Sequence, residues 1–157
     1  MRDKAKFIGL FFLLAVFCKA VPACADTFTE DQPMDFGKFV IKDNDAPYTI
    51  TVGTNGVETY DPKFVAFYPG HQAIMHLTDF PPDTSLSITA ADTALAPVAG
   101  LGPSFDIINF IFNPAFPVTD SSGALTLNVG VTLRTSGSGV RYYDDDYTGN
   151  WLISFNY

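Results

Sequence analysis

The chain has 157 residues, 47% hydrophobic, 15% aromatic and only 17% charged, with a formal net charge of −8. A composition this apolar and aromatic excludes a disordered polar tail, and the lack of any basic stripe excludes a nucleic-acid footprint. The length fits one domain, since domains most often hold about 100 to 150 residues.

Residues 1–25 read as a secretory signal. Arg2, Lys4 and Lys6 open the chain, the apolar run Phe7–Phe17 follows, and Ala23-Cys24-Ala25 precedes Asp26. A cationic start, an apolar stretch and a small-x-small triplet predict cleavage between Ala25 and Asp26. The apolar run of 11 residues is too short for a spanning helix, which needs about 20. No membrane span is therefore expected after cleavage. Acylation of Cys24 as a lipoprotein is the weaker reading, because Val21 and Pro22 suit that signal poorly. Cleavage leaves 132 residues with five basic and sixteen acidic groups, a net charge of −11. It also removes Cys18 and Cys24, so no disulfide is expected even though export permits them. The core alone has to hold the fold, and a chain of this size buries about two-thirds of its unfolded surface.

From Asp26 onward the chain reads as strands and turns. Tyr48, Ile50 and Val52 alternate with Thr49 and Thr51, the period of a strand. Asn55-Gly56 then leads to Val57–Tyr60, a strong hairpin signal for a type I′ turn with positive φ at both positions. Lys63–Tyr68 lies between Pro62 and Pro69-Gly70, and Ala73, Met75 and Leu77 alternate with Ile74, His76 and Thr78. Pro81-Pro82-Asp83 dictates a turn before Leu86 and Ile88, while the Ala, Gly and Pro content of Ala90–Pro103 predicts a loop. Phe105–Phe112, bounded by Pro103 and Pro114, is nearly all apolar and predicts a strand buried on both faces. The clearest strand carries Leu125, Leu127, Val129, Val131 and Leu133 on one face. A last strand places Tyr147, Gly149, Trp151, Ile153, Phe155 and Tyr157 together. Seven to eight short strands predict an all-β fold, a single antiparallel immunoglobulin-like β-sandwich over residues 26–157.

Three stretches, Asp35-Phe36-Gly37, Leu125–Leu133 and Tyr147-Thr148-Gly149-Asn150-Trp151 running to Tyr157, together resemble an exported bacterial family known as domain-of-unknown-function family 4402. The likeness runs from about Met34 to Tyr157. It implies a pilin-like sandwich at a Gram-negative surface, similar to chaperone–usher subunits, and no catalytic residues. Partners implied in this way are a periplasmic chaperone or usher, or other copies of the chain, joined by strand addition. The lead Asp26–Met34 departs from the pattern: it contains Glu30, Asp31 and Pro33, with only Phe28 and Met34 apolar. A donor strand needs alternating apolar side chains.

Enzymatic chemistry finds little to stand on. The 132 residues after the cleavage position contain no cysteine, two histidines (His71 and His76) and no Gly-x-Ser-x-Gly elbow, so a nucleophile with its base is not expected. Asp144-Asp145-Asp146 and the pair Asp43 and Asp45 suggest calcium only weakly, without an Asp-x-Asp-x-Asp-Gly loop. A solvated turn that blocks edge pairing is the stronger reading. No catalytic residue, metal or cofactor is expected. The candidate partner-binding residues are those of the terminal strand: Tyr147, Trp151, Ile153, Phe155 and Tyr157. Their shared face also fits core packing, which leaves Tyr142 and Tyr143 as the expected exposed pair. The sequence thus predicts a non-enzymatic surface structural or adhesive protein working by strand addition. A self-contained soluble periplasmic or secreted binding domain is the alternative.

Overall fold

A computed structural model describes residues 26–157; the expected signal segment and Ala25 of its cleavage position lie outside the described residues. The protein is an all-β antiparallel sandwich with twelve strand segments and no helix among the described residues. Its axis is β10 (Leu125–Arg134), at ten residues the longest strand and buried throughout Val129–Leu133. On one side Leu125–Val129 pairs with β6 (Ala73–Thr78), and Val131–Arg134 pairs with β3 (Thr49–Val52). On the other side it pairs with β9 (Phe105–Asn113). The sheet continues through β6 to β1 (Thr27–Gln32), through β3 to β4 (Glu58–Tyr60), and through β9 to β8 (Thr93–Pro97) and β11 (Tyr147–Thr148). Two small sheets complete the sandwich: β2 (Lys38–Ile41) with β5 (Phe64–Tyr68), and β7 (Ser87–Ala91) with β12 (Leu152–Asn156).

Period-2 alternation puts Ile50, Val52, Ala73, Met75, Leu77, Leu127, Val129, Val131 and Leu133 into one core. Phe39 reaches it from β2, edge-on to Phe64 at 5.3 Å and Phe105 at 5.8 Å. Such tilted pairs add to the burial of the rings themselves. The Asp35-Phe36-Gly37 signature also has a structural explanation. The Asp35 carboxylate accepts the Gly37 N–H at 2.8 Å, Phe36 is buried, and Gly37 adopts φ 68°. A β-carbon there would sit 2.1 Å from the Tyr68 carbonyl, so both conformation and space call for glycine.

Several expectations change on contact with the tertiary structure. The Asn55-Gly56 hairpin exists, with β3 paired to β4, but its turn is not type I′. Only Gly56 has positive φ; its N–H bonds the Gly53 carbonyl, and the Asn55 side chain accepts the Val57 N–H. Ala90–Pro103 is no mere loop, because β8 lies within it, with Thr93, Leu95 and Pro97 turned inward and Ala94 and Ala96 outward. Small residues hid a strand that pairing on β9 and β11 creates.

The apolar β9 is not buried on both faces. Asn109 has φ 51° and the ladder to β10 shifts register between Gly130 and Thr132, which is a β-bulge. Phe105 and Ile107 point inward before it, Phe110 and Phe112 after it, and Ile111 is exposed. One extra residue switches the inward parity from odd to even, so two half-apolar faces look continuous in sequence. The last strand is likewise two: β11 joins β8 and β12 joins β7. At the break, Thr93 Oγ1 donates to the Asn150 carbonyl at 2.8 Å. This one split, together with β1, β2 and β8, explains why twelve segments stand where seven to eight were expected.

Candidate functional site

The terminal strand is an edge. β12 is hydrogen-bonded to β7 on one side, from Leu152 opposite Ala91 to Asn156 opposite Ser87, and among the described residues to no strand on the other. Alternation sorts its side chains: Leu152, Ser154 and Asn156 are exposed, and Ile153 and Phe155 are half-buried. All five candidate residues touch rings or the core of their own protein, and four of them are half-buried while Tyr157 stays 61% exposed. Tyr147 meets Phe105 edge-on at 4.8 Å, Trp151 lies 5.8 Å from Phe110, and Ile153 packs on the core. Phe155 sits 6.0 Å from Phe80 and 6.4 Å from Phe28 of β1, and Tyr157 lies 5.6 Å from Phe80. What β12 offers a partner is therefore its open backbone edge and the exposed Leu152.

β1 closes the neighbouring corner. It runs along β6 from Thr27 opposite Thr78 to Gln32 opposite Ile74. The Tyr157 hydroxyl donates to the Asp26 carboxylate at 3.1 Å, and the phenol is held above its ordinary pKa by that acceptor. The lead Asp26–Met34 thus occupies an edge of its own sheet, although its side chains stay largely exposed.

The remaining candidates serve structure. Asp145 accepts the Ala99 N–H at 2.8 Å and the Asp146 N–H at 2.9 Å, and the Asp146 carbonyl accepts from Val98. The acidic run pins the Val98–Leu101 loop. Asp43 pairs with Lys63 at 2.8 Å, which holds its carboxyl below the usual range. Among the described residues no group of three or more His, Cys, Asp or Glu is placed to hold a metal ion. His76 faces outward from β6 and contacts Thr126 Oγ1 at 3.0 Å, while His71 bridges Asp35 through its backbone. Of the two tyrosines expected outside, only Tyr143 is exposed. Tyr142 stacks on Phe105 at 4.1 Å and donates its hydroxyl to the Ser104 carbonyl. Neighbours on an extended chain point in opposite directions, so one of two adjacent rings goes in.

Sequence reading missed an apolar cleft of about 370 Å³ between β7 and the β9–β10 connection. Its signal was present in Ala115-Phe116-Pro117-Val118, four apolar residues in a loop. Comparison with known proteins finds no matching family model, no matching curated protein and no matching solved structure. The likeness to family 4402 rests on the sequence stretches that suggested it.

Proposed function

We propose that this is an exported, non-enzymatic structural or adhesive protein of the bacterial surface that engages its partners by β-strand addition. The observation that carries the reading is β12, bonded among the described residues to β7 alone, with its second edge unpaired by them and Leu152 exposed. An open edge offers a row of unpaired N–H and C=O groups that another chain's strand can satisfy. The partner is a periplasmic chaperone, an usher or another copy of the chain. One observation favours the alternative of a self-contained binding domain: β1 already pairs along β6, so the lead is engaged at home rather than free to be donated.

Size-exclusion chromatography with light scattering on the exported protein, without added chaperone, separates the two. Strand addition predicts oligomers that persist on mild heating and are lost in Leu152→Lys, where a charge faces out beside the open edge. A single monomeric species in the wild type overturns strand addition between copies and leaves the self-contained binding domain.

A further inference from the structure

The cleft between β7 and the β9–β10 connection is lined by Leu86, Ile88, Phe112, Ala115, Phe116 and Val118, together with two serines and a proline. No charged residue is among them. Phe116 is 91% exposed and Val118 47%. An aromatic ring left almost wholly in water beside an apolar trough is the composition of a binding anchor. The trough exists for a topological reason. β8 pairs with β9 only as far as Ile107, and among the described residues β7 is paired with β12 alone, so no strand fills the space between β7 and Phe112. The Leu86 N–H bonds the Pro117 carbonyl and closes one end.

Charge is sorted along the molecule. The cleft lies at the end where β6 finishes, β10 begins and β12 finishes, and Asp26, Asp79, Asp83 and Asp120 gather there. Asp83 N–H bonds the Asp120 carbonyl, and Asp26 reaches Tyr157. The five Lys and Arg of the described residues lie elsewhere. Lys38, Lys42 and Lys63 are on or beside the β2–β5 pair, Arg134 pairs with Asp106 at 2.9 Å at the far end of β10, and Arg141 adjoins Tyr142 near Ser104. The cleft end therefore has an uncompensated negative field around an uncharged apolar trough.

We infer that this cleft binds an extended basic polypeptide segment whose apolar side chains enter the trough beside Phe116 while its flanking Lys or Arg side chains meet the acidic rim. Anionic lipid surfaces and nucleic acids are repelled by the same field. None of the lining residues belongs to β12, so the site is separate from the β12 edge and does not depend on strand addition there.

The test uses dye-labelled peptides and fluorescence anisotropy on the exported protein. One probe alternates Ile and Thr between paired lysines; a second keeps that core between paired glutamates; a third keeps the lysines around a Thr-only core. The first binds, the other two bind about tenfold or more weakly, and raising salt weakens the first further. Phe116→Ser, at a side chain that holds nothing together, weakens binding about tenfold. Asp79→Asn with Asp83→Asn weakens it several-fold; asparagine tolerates their positive φ of 67° and 50°. Equal binding of the three probes, no binding of the first, or no effect of Phe116→Ser overturns the inference. Loss of binding in Leu152→Lys but not in Phe116→Ser moves the peptide to the β12 edge, overturning the cleft while sparing strand addition. A dimer that dissociates only in Phe116→Ser also overturns it, because the cleft's occupant is then a second copy.

Discussion

Asn109 provides the sharpest test of how this sandwich is built. Its backbone sits at φ 51° in the middle of a nine-residue strand, with the side chain exposed. Burial is therefore unchanged by substitution, and the effect isolates the backbone. The left-handed region costs an ordinary L-residue about 1 to 2 kcal/mol, whereas Asn and Gly visit it readily. A β-branched side chain is the least tolerant. Asn109→Val should lose about 1 to 2 kcal/mol, which for a domain of this size lowers Tm by about 4 to 8 °C. Asn109→Gly should stay within about 0.5 kcal/mol of the wild type, since glycine's conformational ease is offset by its greater unfolded freedom. Asn156→Val is the control: it places the same side chain at an exposed position of β12 without positive φ, where valine suits a strand. Urea unfolding followed by Trp151 fluorescence reads all three, because Trp151 lies beside Phe110, the first inward ring after the bulge. Equal stability of the Val and Gly variants would refute the claim that a left-handed bulge sets the parity of β9.

Two further outcomes test the core and the turn beside the cleft. Leu127 is fully buried in β10 opposite Met75, so Leu127→Ala should cost about 3 kcal/mol in urea unfolding; a loss below about 1 kcal/mol would mean that β10 is not the axis. Asp120 accepts from Ser122 Oγ at 2.6 Å, the Ser122 N–H and the Ala124 N–H, and these bonds hold its carboxyl below the usual range. A depressed folded pKa contributes stability that is present above the unfolded value of about 3.9 and fades as pH falls through the lower folded one. The urea midpoint should therefore drop on acidification below about pH 4, less steeply in Asp120→Asn.

Much of this architecture was written in the order of the residues. Alternation in Tyr48–Val52, Ala73–Thr78 and Leu125–Leu133 specified strands and their buried faces, because a pleated strand has a period of two whatever it pairs with. Asn55-Gly56 and Pro81-Pro82-Asp83 marked turns, because local φ preferences act within a few residues. Only the tertiary structure decided what depends on distant partners. It made a strand of Thr93–Pro97 through β9 and β11, and it divided the closing strand between β8 and β7. It stacked Tyr142 on Phe105 and left Tyr143 outside. The cleft beside Phe116 belongs to the same class. Its walls come from segments about 30 residues apart, and it opens where β7 keeps an edge that no described strand pairs. Periodicity reports which side of a strand is apolar; which strand lies alongside, and where none does, is settled by long-range pairing.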